Sequence, residues 1–182
     1  MKGTRTFRGL DRAIYRLMHR RLRTRRLDPI MVAASHAGTK NVIWFAIAAV
    51  LALFGGRRGR RTALITVGAT LSAQALANIV LKNVFRRKRP YRSSRLRSVL
   101  LVKPPREHSW PSGHAASSAA GAAVLGNAYP TMSLPLALLA AVISYSRVYV
   151  GVHYPFDVAS GIAVGVGAGE AWARAAHTGQ RA

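Results

Sequence analysis

Cysteine is absent from the 182-residue sequence. Neither a disulfide nor a thiolate metal site is therefore open to the chain, and its redox compartment leaves no trace. Acidic residues are almost as scarce, 5 Asp plus Glu against 28 Lys plus Arg. The carboxylates and histidines are too few for a two-metal hydrolytic centre. Internal repeats and long low-complexity linkers are missing as well. Residues 1–26 hold no apolar core, so they do not read as a cleavable signal.

What is present is strongly segregated. Hydrophobic residues make up 50% of the chain, yet mean hydropathy is only +0.12 because the formal charge is +23. Lys and Arg gather in residues 1–26, 57–61 and 82–106. Between these blocks, 62–81 and 109–146 carry no Asp, Glu, Lys or Arg, and 148–169 carries only Asp157. Apolar runs of roughly 20 residues cross a bilayer core. A soluble helix of that length keeps a polar face, whereas "ALLAAVISYS" and "GIAVGVGAG" have none. A pI near 12.0 also fits nucleic acid. Basic blocks flanking apolar runs are, however, what membrane topology and anionic headgroups select. The expected fold is all-α: a polytopic transmembrane bundle of five to six membrane helices plus an N-terminal amphipathic helix.

Residues 7–26 are too basic to span. Ile14, Tyr15, Leu17, Met18 and Leu22 would form the apolar stripe of an interfacial helix; a disordered basic arm is the alternative. Asp28-Pro29 reads as a helix start, Asp as N-cap and Pro at N1. The run 29–54 follows as one helix or two abutting ones, and "GGRRGRR" at 55–61 reads as a tight basic turn. Further helices are expected over 62–85, 112–127, 132–149 and 155–172. Gly161, Gly165 and Gly169 recur at every fourth position, which permits close packing within one chain. The expected organisation is an interfacial segment over 1–28, a membrane-embedded domain over 29–176 and a short tail over 177–182.

Counting spans brings three separated segments to one face. The first is "KNVFRRKRP", with Lys82 just past an uncharged run and Arg89 before Pro90. The second is "PSGH", where Ser112 and Gly113 open a helix and His114 sits in its first turn; free N–H groups there bind anions. The third is "SRVYVGVHYPFD". His153 and Asp157 are four apart, so a carboxylate can reach one imidazole nitrogen and leave the other free. Each segment alone has a plainer reading: snorkelling lysine and arginine, an ordinary helix cap, a His–Asp pair locking two helices. Together they offer cations and N–H groups for phosphate oxygens, and two histidines as nucleophile or base and as acid. Arg86, Arg87 and Lys88 read as topology signals at the membrane surface, and Glu107 and His108 as a solvated loop.

In order and internal spacing, Lys82…Arg89-Pro90, Pro111-Ser112-Gly113-His114 and Ser146-Arg147…His153…Asp157 resemble the three signature motifs of the type-2 phosphatidic acid phosphatases. That superfamily also contains the vanadium haloperoxidases. The resemblance implies catalytic roles for three residues. His153 would be the nucleophile that forms a phosphohistidine, Asp157 its orienting partner, and His114 the acid for the leaving group. It further implies that Lys82, Arg89, Arg147, Ser112 and Gly113 hold the phosphate, and that no metal or other cofactor is needed. The partners implied are a lipid phosphate substrate and the bilayer itself, in a multi-pass bacterial plasma-membrane protein, with no nucleic acid. The competing class is a non-catalytic basic membrane protein that recruits anionic lipid or nucleic acid. A serine hydrolase is disfavoured because Ser112 and His114, two apart, do not face each other on a helix.

Overall fold

A computed structural model of the protein describes residues 2–92 and 100–178. Arg95 and Arg97 of the third basic block, and residues 179–182 of the expected tail, lie outside the described residues. Among the described residues eight α-helices form and there is no strand. They are α1 (Lys2–Arg21), α2 (Asp28–Ala37), α3 (Val42–Phe54), α4 (Gly56–Ala75), α5 (Lys82–Phe85), α6 (Gly113–Ala128), α7 (Ser133–Tyr149) and α8 (Pro155–Thr178).

Helix α6 is the axis of the bundle, packed against α4, α7 and α8. Its sequence, GHAASSAAGAAVLGNA, is almost all small residues, and ten of its sixteen positions are buried. Small side chains let three neighbours approach one helix at backbone distance. The glycine series on α8 supplies the matching surface within the same chain. A Cβ added at Gly165 would stand 2.1 Å from the Ala116 carbonyl oxygen. A second cluster ties the bent N-terminal half to this axis: Trp44 is fully buried with Leu125, Leu136 and Ile143, and its indole N–H donates to Ser118 Oγ at 3.1 Å.

The run 29–54 resolves into two helices bent by 61°. The bend sits at Lys40 and Asn41, both with positive φ. Asn tolerates that region because its short side chain bonds locally; here Asn41 is buried and its amide donates to Gln74 at 3.1 Å. Two helix starts differ from expectation. Leu27, not Asp28, precedes α2, with no side-chain cap; the Asp28 carboxylate instead accepts from Arg23 and the Tyr149 hydroxyl. The basic turn is shorter than 55–61: the chain reverses at Gly55 and Gly56, the latter at φ +59°, and Arg57 to Arg61 lie inside α4. Helix α8 also runs six residues past 172, to Thr178.

The outer surface is apolar. Leu53 and Phe54 are 72% and 83% exposed, and Leu64, Ile79, Val84 and Leu134 also point away from the protein. Patches this extensive belong against lipid. Helix α4 with its continuation, Gly56–Arg92, and the segment Pro130–Tyr149 are each long and apolar enough to cross a membrane, and the bent α2–α3 pair makes a third if counted as one span. Helix α6 has 16 residues and is sheathed by protein, so nothing selects it for lipid-facing hydropathy.

Helix α1 is ordered, but its expected stripe divides in two. Tyr15 is fully buried against Ala115, Val148, Tyr154 and Val158, with Met18 alongside. Ile14, Leu17 and Leu22 face outward.

The α6–α8 contact gives a paired stability test. Gly165→Ala is expected to lower the thermal midpoint in detergent, by an amount in keeping with the roughly 1–3 kcal/mol typical of overpacking. Gly167→Ala, where an added Cβ meets nothing within 4 Å, should leave the midpoint unchanged or raise it slightly. Equal behaviour of the two would refute backbone-to-backbone packing at Gly165.

Candidate functional site

The antiparallel arrangement collects the C-terminal end of α5, the N-terminus of α6, the C-terminal end of α7 and the N-terminus of α8 at one end of the bundle. All eight residues anticipated from the sequence lie there. Immediately before Lys82 the helix passes through a π turn, Leu76–Leu81. One extra residue per turn rotates everything beyond it, a device common at functional sites. Lys82, otherwise on an apolar helix, is only 4% exposed. Its ammonium donates to Glu107 Oε2 at 2.8 Å.

Arg89 is held rigidly. Its Nε donates to the Glu107 carbonyl at 2.7 Å and its Nη1 to the Val152 carbonyl at 3.0 Å. The same Nη1 lies 3.1 Å from His153 Nε2. A guanidinium has no lone pair to offer, so Nε2 must be the acceptor in that contact and the imidazole proton sits on Nδ1. Nδ1 faces Asp157 Oδ2 at 3.6 Å, an ion-pair distance too long for a hydrogen bond. Arg147, also buried, donates from Nη1 to Ser35 Oγ, and its Nε has no partner among the described residues.

Three buried cations therefore converge, and among the described residues the carboxylate in direct contact with one of them, Glu107 on Lys82, has its side chain 62% exposed. Burial of an unpaired cation costs several kcal/mol, so the cluster is built for a further anion. The same field acts on His153. Burial first, then the charges of Arg89, Arg147 and Lys82, push its imidazole well below the usual histidine range, leaving a neutral ring with a lone pair on Nε2. Glu107 is held below the ordinary carboxylate range by its hydrogen bond from Lys82, against the opposing effect of burial.

Ser112 and Gly113 occupy the expected helix start, with Ser112 as N-cap of α6. Much of Ser112 is engaged: its hydroxyl oxygen accepts from the Ala115 N–H at 3.4 Å, and its own N–H donates to the Asp157 carbonyl at 2.9 Å. Gly113 packs on Asn78 of the π turn. His114 Nε2 lies 3.4 Å from Thr39 Oγ1. Gly38 leaves room for the ring, since a Cβ there would meet His114 at 3.0 Å.

Several neighbours were not legible beforehand. Arg87, read as a surface cation, donates to Asp157 Oδ1 at 2.6 Å and to Asp11 Oδ2 at 2.5 Å. Ser109 donates its hydroxyl to Asp157 Oδ2. Glu107, read as solvated, sits on Lys82. Ser35, in α2, and Thr39, in the bend after it, come from the run 29–54, to which no site residue was assigned. One signal was available: Asp11 is the only acid in residues 1–27, amid arginines. Among the described residues, no group of three His, Asp or Glu side chains is placed to hold a metal ion. An open cavity of about 580 Å³ lies elsewhere, lined by Arg57, Arg58 and Arg61 at the other end of α4.

The described residues form a helical bundle with a cationic cluster beside a histidine, and comparison with known proteins identifies its family. The PAP2 superfamily matches residues 62–181. Decaprenylphosphoryl-5-phosphoribose phosphatase of Mycobacterium tuberculosis is 36% identical over 135 residues, 74% of this chain and 72% of that protein. Undecaprenyl-diphosphatase of Sulfolobus acidocaldarius is 36% identical over 141 residues, 76% of this chain and 66% of that one. Among solved structures, Aquifex aeolicus LpxE superposes with a TM-score of 0.73 at 28% identity, covering 91% of this chain and 95% of its own. A PAP2 type phosphatidylglycerolphosphate phosphatase from Bacillus subtilis shares the fold, with a TM-score of 0.68 at 24% identity over 92% and 84% of the two chains. The chain belongs to the PAP2 superfamily and is a phosphatase that hydrolyses phosphate esters.

The neutral, buried His153 carries a stability signature. Below about 6.5, the ordinary histidine value, the unfolded chain binds a proton that the folded ring refuses, so stability falls as pH drops through that point. The thermal midpoint in detergent should decrease between pH 7 and pH 5, and less steeply in His153→Gln. An unchanged slope in that variant would show that His153 is not the neutral buried group.

Proposed function

We propose that the protein is an integral-membrane lipid phosphatase that removes phosphate from a lipid phosphomonoester or diphosphate through a phosphohistidine on His153, without metal. The observation that carries this reading is the acceptor Nε2 of His153 beside three buried cations. In the first step that lone pair attacks phosphorus while Lys82, Arg89 and Arg147 hold the phosphoryl oxygens, aided by the α6 N-terminus at Ser112 and Gly113. The bond from phosphorus to the leaving oxygen breaks, and His114 supplies the proton that oxygen takes. The imidazole becomes cationic in the intermediate, and Asp157 stabilises it across Nδ1–H. In the second step water attacks the phosphohistidine, His114 accepts its proton, and inorganic phosphate leaves with His153 restored.

Membrane embedding fits a substrate whose headgroup enters the cationic end while its tail stays in lipid. The reading takes five crossings: the bent α2–α3 pair, α4–α5, α6, α7 and α8, with α1 at the interface. It keeps the division into an interfacial segment over 1–28, a phosphatase domain over 29–176 and a tail over 177–182, in a bacterial plasma membrane. The basic surface then serves headgroups and topology rather than nucleic acid. Candidate substrates are polyprenyl phosphates and diphosphates, phosphatidylglycerol phosphate and phosphatidic acid; the prenyl-phosphate relatives favour the first.

Phosphate release from these lipids should proceed in detergent with EDTA present and be lost, by at least about 100-fold, in His153→Ala. Release that needs added metal, or that persists in His153→Ala, would sink the mechanism. Glu107 competes with the substrate for Lys82, so Glu107→Gln is expected to lower KM severalfold with little change in kcat. A raised KM would assign Glu107 to substrate binding instead.

A further inference from the structure

We propose that Arg87 is a positioning residue for the Asp157–His153 pair, held in place by Asp11 of the N-terminal helix. The inference rests on the proposed role of His153. Asp157 is fully buried, and its histidine partner is 3.6 Å away. A buried carboxylate needs an opposite charge and filled lone pairs. Arg87 provides the charge through Nη1 at 2.6 Å on Oδ1, while Oδ2 accepts from the Ser109 hydroxyl and from the Tyr154 N–H at 2.9 Å. The Arg87 backbone takes part too, since its carbonyl accepts the Ser109 N–H at 2.8 Å. One residue thus fastens both sides of Asp157, and the carboxylate edge that faces His153 Nδ1 is fixed by them.

Besides Asp157, Arg87 is held from two further directions. Its guanidinium lies 4.3 Å from the centroid of the Tyr154 ring, a cation–π distance. Its Nη2 donates to Asp11 Oδ2 at 2.5 Å. The other Asp11 oxygen accepts the Phe156 N–H at 3.1 Å, in the first turn of α8 and one residue before Asp157. Asp11 is only 3% exposed and belongs to a helix anchored by Tyr15 beneath Tyr154. Helix α1 therefore braces the site from outside the motif-bearing region, through a carboxylate–guanidinium–carboxylate chain ending at His153.

The test uses the full-length protein in detergent, with phosphate release from the lipid panel above and histidine ¹⁵N NMR assigned through His153→Gln. Arg87→Gln is expected to lower kcat about 10- to 100-fold, the scale of a misplaced reacting group, with KM within about threefold because the phosphate-binding cations are untouched. In the same variant the His153 ¹⁵N signals should move from one Nδ1–H tautomer toward a mixture. Arg87→Lys, which keeps charge but cannot bridge two carboxylates, should recover part of kcat, and Asp11→Asn should give an intermediate loss. Arg86→Gln, at an exposed position, is the control without effect. Unchanged kcat in Arg87→Gln overturns the proposal, as does a fall in kcat with unaltered His153 signals. If the wild type releases phosphate from no lipid, the phosphatase reading fails, while the NMR arm still decides whether Arg87 positions His153.

Discussion

Positive charge buried at the end of an apolar bundle is the constraint around which this molecule is arranged. Lys82, Arg89 and Arg147 are each under a tenth exposed, and such groups persist only where geometry and counter-charge are over-determined. The surrounding structure supplies that determination piece by piece. Backbone carbonyls of the 100–112 and 150–154 loops fix Arg89, α2 fixes Arg147 through Ser35, and a π turn aims Lys82. What these contacts leave unsatisfied is net charge, which the proposed phosphate would balance. The same excess pushes the His153 imidazole toward its neutral form, so the field proposed to attract the substrate also maintains the nitrogen proposed to attack it.

Close packing makes the convergence possible. Four helix ends can meet within hydrogen-bond reach only if their axes are near, and α6 achieves this by giving up large side chains. Its Ala, Gly and Ser residues bring α8 to backbone contact at Gly165, which sets the His153–Asp157 turn beside the α6 N-terminus. The Ser112 N–H bond to the Asp157 carbonyl is the local expression of that proximity.

This division of labour explains what could be read from the sequence. The helices were legible because charge stops and starts at their ends. The proposed catalytic residues and Lys82 stood out because lysine, histidine and aspartate are out of place beside apolar runs, and the structure brings them to one end of the bundle with Arg89, Arg147, Ser112 and Gly113. The number of crossings was less so: α6 is shielded by protein, and its composition answers to packing rather than to lipid. Arg87 was hidden between Arg86 and Lys88 in "RRKR", since nothing local separates the arginine that turns inward after the left-handed residue Arg86 from the two exposed cations that flank it. Ser35 and Thr39 were hidden because a small polar residue on a weakly apolar helix has many ordinary uses. Such partners are set by contacts across dozens of residues, which spacing does not encode.

Three of the five acids divide by exposure, and the division matches their proposed roles. Asp157 and Asp11 are buried on either side of Arg87, where charge-assisted hydrogen bonds of 2.6 and 2.5 Å form a permanent fixture. Glu107 reaches Lys82 from a loop with most of its own side chain in solvent. A pair so exposed on one side contributes nearer to the 0–1 kcal/mol of surface ion pairs than to the value of a buried one. A phosphate dianion contacting three cations would exceed that easily, so in the proposed reaction Glu107 is the anion that gives way. It covers Lys82 and lowers the cost of burying that charge, yet it is too weakly held to block the proposed lipid headgroup. A carboxylate buried as deeply as Asp11 could not play that part, and one as exposed as Glu107 could not hold Arg87.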